Sequence, residues 1–129
     1  MTKPPLIDRI DHFVLTVRDL EASCAFYTRA LGMKRVEFEG RLALHFGAQK
    51  INLHRAGHEF EPKAKTATPG SGDFCLISPT PLPDVIEHLA TLGIAIEIGP
   101  VMRGGAQGPM RSIYFRDPDG NLVEVANYI

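Results

Sequence analysis

One pattern, a strand followed by a helix and then three more strands, runs through this chain twice. In the first pass, residues 10–17 (IDHFVLTV) alternate as a strand does. Asp19 then stands where a helix N-cap is needed. Leu20, Cys24, Tyr27 and Leu31 share one helical face, and Gly32 stops it. Three short strands are predicted over 34–39, 42–46 and 50–54, with Gly40 and Gly47 at the turns. The second pass opens at 73–78 (DFCLIS). Its helix covers 82–92, with Leu82, Val85, Ile86, Leu89 and Leu92 as a stripe and Gly93 as the stop. Strands are expected at 94–98, 112–116 and 121–126. The phrases LGMKRVEF and LGIAIEIG follow the two helices at matching places. A repeat of this size predicts an α+β architecture of two βαβββ modules that join into one curved mixed sheet. Four strands and one helix leave one sheet face uncovered by helix, and that face must meet something else.

The repeat sets the domain organisation. Residues 8–129 read as a single domain, made of modules 8–55 and 72–129 and a polar, proline-containing linker over 56–71. The segment 99–111 (GPVMRGGAQGPMR) reads as a long, mobile, glycine-rich loop. A net charge of −1 gives no basic footprint for nucleic acid and no polybasic membrane anchor. No apolar run approaches the ~20 residues of a membrane span. The opening residues MTKPPLIDRI lack the apolar centre of a secretion signal. Cys24 and Cys75 are far apart and without CxxC spacing, which reads as two reduced thiols in a cytoplasmic protein.

Strand alternation predicts which side chains the uncovered faces present. If Phe13, Leu15 and Val17 lie under the helix, His12, Val14 and Thr16 look the other way. The same parity puts Asn52 and His54 opposite Ile51 and Leu53, and Asp73, Cys75 and Ile77 opposite Phe74 and Leu76. In the last strand it puts Glu124 opposite Val123 and Val125, with Tyr114 on the same side of its own strand. His12, His54, Asp73 and Glu124 are thereby expected on one concave surface. Imidazole and carboxylate together suit Zn²⁺, Ni²⁺, Fe²⁺, Co²⁺ or Mn²⁺, and two His with one carboxylate leave positions open for substrate. Glu124 is a lone acid among apolar neighbours, a placement that needs solvent or a cation to offset it.

DHFVLTVRDLEASCAFYTRALGM, INLH and YFRDPDGNLVEV resemble the vicinal oxygen chelate superfamily, which includes glyoxalase I, fosfomycin-resistance enzymes, extradiol dioxygenases and bleomycin-resistance proteins. The resemblance covers residues 8–129. Within it, INLH, GHEFEPKA, PGSGDFCLI and RDPDGNLVEVANYI are most similar to the subgroup of glyoxalase domain-containing protein 5. The resemblance implies paired modules around a cleft, one divalent metal in it, a small-molecule substrate and a homodimer. By position it implies His12 and Glu124 as metal ligands. Where glyoxalase I has a Glu at the end of the first module, this chain offers Asn52 or His54, and His54 is the better ligand. Where the second module usually opens with a His, Asp73 stands instead, either as a ligand or as a surface acid.

A glyoxalase-type lyase or isomerase would chelate a substrate with vicinal oxygens, stabilise an enediolate and move a proton with Glu124. Asn52, Asp73 and Tyr114 would contact substrate, and Arg103 and Arg111, beside the glycine-rich segment, could clamp an anion. An Fe²⁺-dependent extradiol-type dioxygenase and a metal-free binding protein of the resistance type are the alternatives. His45, His58 and His88 read as structural or surface residues, and the Asp-Pro-Asp-Gly turn at 117–120 as a structural device.

Overall fold

The structure is a computed structural model that describes residue 3 and residues 5–129. The N-terminal reading therefore falls partly on residues 1, 2 and 4, outside the described residues. The first module comprises β1 (His12–Val17), α1 (Leu20–Leu31), β2 (Lys34–Phe38), β3 (Arg41–Phe46) and β4 (Gln49–Arg55). The second comprises β5 (Asp73–Ile77), α2 (Leu82–Thr91), β6 (Ile98–Gly105), β7 (Gly108–Arg116) and β8 (Leu122–Tyr128). Each module makes its own four-stranded mixed sheet, in the orders β1-β4-β3-β2 and β5-β8-β7-β6. The first strand of each pairs parallel to the last, and the other pairs are antiparallel. The two orders are the same pattern, so the sequence repeat is a structural repeat. This is the α+β architecture of two βαβββ modules that the repeat predicts.

The helix boundaries follow from local chemistry. Asp19 accepts a hydrogen bond from Ala22 N–H at 3.1 Å, and Gly32, at φ 68°, supplies the left-handed residue that ends α1. The second helix has no cap of its own. Pro81 precedes it, and the Leu82 N–H instead donates to Asn127 Oδ1 of β8 at 2.7 Å. The N-terminus of α2 is thus finished by the last strand.

A single core joins the modules. Cys24, Tyr27 and Ala30 of α1 and Leu82, Val85 and Leu89 of α2 pack with Leu15, Leu44 and Ile51 of one sheet and Ile113, Phe115 and Val123 of the other. The inner faces of both sheets therefore share one interior, and the opposite face of each turns outward. A polar clamp holds the junction. Asp117, in the turn before β8 and 4% exposed, accepts Tyr27 Oη–H at 2.6 Å, Asn121 Nδ2–H at 2.8 Å, and the N–H groups of Asp119 and Asn121, each at 2.9 Å. Asp119 accepts from Arg18 N–H at 3.0 Å, and His88 of α2 bonds the Arg29 carbonyl at the end of α1 at 2.8 Å. The DPDG turn is a structural device, as its sequence suggests, and one that ties the two modules together.

The glycine-rich segment departs from expectation. It is neither a loop nor preceded by a strand at 94–98: β6 runs Ile98–Gly105 and turns tightly into β7 at Gly108. Two of its glycines answer to close approach. A Cβ on Gly105 would lie 2.6 Å from Met110 Sδ, and one on Gly99, at φ 115°, would lie 2.5 Å from the Ser112 carbonyl oxygen. Gly99 falls in the register shift where β6 bulges against β7.

Candidate functional site

Strand parity assigns the open faces correctly. On β1, Leu15 and Val17 enter the core while His12 and Val14 remain exposed. On β4, Ile51 and Leu53 are buried inward, and Asn52 and His54 take the open side. On β8, Val123 and Val125 are buried inward and Glu124 points the other way, flanked by its cross-strand partners Cys75 of β5 and Tyr114 of β7.

A single chain divides the set expected on one surface. His12, Asn52 and His54 lie on the open face of the first sheet, and Glu124 and Tyr114 on that of the second. Asp73 stands at the start of β5, along the seam between β1 and β5. Among the described residues no three His, Cys, Asp or Glu side chains lie close enough together to hold a metal ion. His12, His54 and Asp73 do border one cavity at the seam, whose lining also takes in Cys75 of the second sheet but not Glu124.

Each half-set has its own surroundings. A cavity of about 830 Å³ opens at the seam, where Phe13 and Phe74 meet with ring centroids 5.0 Å apart. His12, His54, Asp73 and Lys50 line it, together with linker residues such as Lys63 and Thr66. His12 Nδ1 bonds Asp11 at 2.7 Å, which leaves Nε2 as the other ring nitrogen. His54 is 9% exposed and meets the ring of Phe60 edge-on at 5.5 Å. Burial, reinforced by the Arg41 charge, lowers its pKa, so its imidazole stays neutral with a lone pair to offer. The linker thus supplies a wall, Phe60, that no sequence periodicity announces.

On the second sheet, Glu124 Oε2 is buried without a hydrogen-bond partner. Its neighbour Cys75 is exposed, but desolvation of the thiol, and then the Glu124 charge and hydrogen bond, push that group up to about 11. On the far side of Glu124, Tyr114 Oη accepts from Arg103 Nε–H at 2.9 Å. Arg111 shares the parity of Ile113 and Phe115 and belongs to the other face, so the two arginines do not form one clamp. Cys75 was legible as an open-face residue but not as the neighbour of Glu124, because that pairing depends on the β5–β8 register.

The donors fit a divalent ion in kind: neutral imidazole on one open face and a desolvated, unpartnered carboxylate oxygen on the other. They do not gather around a point within one chain.

Residues 9–125 match the family model described as Glyoxalase/Bleomycin resistance protein/Dioxygenase superfamily. The chain belongs to this superfamily. It is 54% identical over 125 residues to virulence protein STM3117 of Salmonella typhimurium, covering 96% of this chain and 87% of that protein. The crystal structure of that protein superposes with a TM-score of 0.95, covering 97% of this chain and all of the other. Glyoxalase domain-containing protein RDO1 of Mycosarcoma maydis is 52% identical over 120 residues, covering 92% of this chain and 68% of that protein. The solved structure of lactoylglutathione lyase from Agrobacterium tumefaciens is 27% identical with a TM-score of 0.72, covering 97% of this chain and 96% of the other. No helix among the described residues is long and apolar enough to cross a membrane.

Proposed function

We propose that this chain is a metal-dependent lyase or isomerase of the glyoxalase type, in the glyoxalase domain-containing protein 5 subgroup, acting as a cytoplasmic homodimer on a small substrate with vicinal oxygens. The observation that carries the reading is Glu124, whose Oε2 is buried and unpartnered between the buried Val123 and Val125. Leaving such an oxygen unmet costs about 1–3 kcal/mol or more, so a fold that keeps it there has a use for it. Similarity to a protein named as a lactoylglutathione lyase supports the reaction class.

In this reading His12, His54 and Glu124 hold the ion, and the two half-sets meet when the open faces of two copies come together. Val14 and Phe38 on the first open face and Ile77 and Ile98 on the second are 44%, 70%, 54% and 45% exposed, apolar area that a second copy would cover. A bound divalent cation would polarise a substrate carbonyl and stabilise negative charge on its oxygen. The chain's own groups do the rest. Glu124, once displaced from the ion, would take the proton from the hydroxyl-bearing carbon beside that carbonyl and return it to the former carbonyl carbon, while the hydroxyl proton passes to the former carbonyl oxygen. The Tyr114 hydroxyl accepts from Arg103, and its own proton is free for a substrate oxygen. Asn52 and Asp73 orient the remaining polar groups of the substrate.

Elemental analysis of protein purified without added metal is the test, applied to the parent, His12→Ala and Glu124→Ala. Stoichiometric metal in the parent and its loss in both variants is expected. The same metal content in all three, or none in the parent after incubation with each candidate ion, would overturn the reading.

A further inference from the structure

The open face of the first sheet carries a basic row of which the proposed reaction uses only His12. Cross-strand registers place His12 beside Lys50, Lys50 beside His45, and His45 beside Lys34, so one row across all four strands consists of imidazole and ammonium side chains. Two rows away, Arg41 lies opposite His54 on the same face, in step with the Leu42–Leu53 and Ala43–Asn52 pairs. Lys34, Lys50 and Arg41 thus bring three positive charges to this face of the sheet.

Between these rows is a pocket of about 170 Å³. Lys50, His45 and Asn52 border it together with Arg41, and no Asp or Glu lines it. Val36, Phe38, Ala43 and Phe60 are among the residues that give it apolar surface. The Arg41 guanidinium sits 4.2 Å above the centroid of the Phe60 ring, which holds that charge at the rim. Among the described residues, neither Lys50 nor Arg41 has a carboxylate within ion-pairing distance. Asp11, next to His12 at the end of the row, is engaged by it at 2.7 Å, and Glu59, whose charge acts on His54, is paired with Lys63.

We infer that this pocket binds the anionic end of a small organic molecule, a carboxylate or phosphate carried on a compact apolar body, with Lys50 and Arg41 as the charge partners and Asn52 as a neutral donor. Its size suits one such group and a ring or short chain, not a polymer. The inference deepens the proposed function, since Asn52 and His54 also line this pocket, and it rests on that reading for its catalytic meaning: the substrate would be an anion. Binding itself requires no metal, so the two can fail separately.

The test uses the full chain in excess chelator, at low ionic strength, titrated calorimetrically with benzoate, phenyl phosphate and neutral benzamide. The expected result is saturable binding of one or both anions, at least tenfold tighter than benzamide and weakened by added salt. Lys50→Gln should weaken anion binding at least tenfold, while Lys50→Arg stays within about threefold of the parent because the charge is kept. Arg41→Gln should weaken it as well, with far-ultraviolet circular dichroism unchanged in every variant. Equal binding of benzamide and the anions, no binding of either anion, or unchanged anion binding in Lys50→Gln and Arg41→Gln would overturn the inference. Failure here with metal still lost in His12→Ala and Glu124→Ala would remove the anionic substrate and leave the metal reading in place.

Discussion

Removing one hydroxyl, in Tyr27→Phe, tests the clamp between the modules. Tyr27 is fully buried, and its Oη–H donates at 2.6 Å to Asp117, itself 4% exposed. A hydrogen bond to a charged acceptor contributes about 1.5–3 kcal/mol. Here the upper end is not reached, because Oδ2 of Asp117 keeps its bond from Asn121 Nδ2 at 2.8 Å after the hydroxyl is gone. The ring, which packs against Phe26 at 5.2 Å between centroids, is unchanged by the substitution. The expected loss is therefore about 2 kcal/mol, or a fall in Tm of roughly 8 °C for a chain of this size. Asp117→Ala is the comparator. It strands the Tyr27 hydroxyl, the Asn121 amide and two backbone N–H groups at once, and should cost roughly 4 kcal/mol. Urea unfolding of both single variants and the double variant gives a cycle whose coupling energy should be about 2 kcal/mol, with m-values unchanged. A Tyr27→Phe protein within about 0.5 kcal/mol of the parent, or a coupling energy near zero, would refute the idea that this bond holds the modules together.

Four further outcomes are expected. Alkylation of Cys75 should be slow at pH 8 and accelerate as the pH rises toward about 11, since the thiolate is the reactive form; Glu124→Gln, which removes the neighbouring charge, should speed labelling at pH 8, and an unchanged rate would contradict the pairing. The His54 pKa is lowered by burial and by Arg41, so the unfolded chain takes up that proton first: stability is fully present above about pH 6.5 and is lost as the pH falls through that value toward the lower folded pKa, and the urea midpoint of His54→Gln should fall less over the same window than that of the parent. Gly99→Ala should destabilise by about 2–3 kcal/mol in urea unfolding, because the added methyl meets the Ser112 carbonyl oxygen at 2.5 Å from a backbone at φ 115°; a neutral effect would mean that the β6 bulge relaxes freely. If the half-sets meet between copies, mixing His12→Ala with Glu124→Ala protein under exchange conditions should restore part of the metal content that neither holds alone, and no restoration would count against a site built from two chains.

Much of the fold was legible because burial enforces period. Leu15, Val17, Ile51, Leu53, Val123 and Val125 had to face inward, and their alternation fixed where His12, His54 and Glu124 point. The caps at Asp19 and Gly32 were equally plain. Two things were hidden. The glycines of 99–111 have the composition of a loop, yet they serve a hairpin whose partner strand leaves no room at Gly105 or Gly99; sequence reports the missing side chain without its cause. The division of the candidate site was hidden too, since parity assigns each side chain to a face but is silent on how two sheets dock. Phe60 against His54, and Lys50 beside His45, arise from chain segments meeting in space: the first had no signal in the sequence, and the second could have been found by extending the parity argument to every strand of the first module.

Asn127 makes the end of the chain part of a helix that begins some forty-five residues earlier, since its side-chain oxygen receives the Leu82 N–H and its amide group reaches the carbonyls of Ser78 and Thr80. Shortening the protein by its last three residues would thus do more than fray a terminus. It would uncap α2 and release the strand-to-helix connection of the second module, both of which the Asn127 side chain holds.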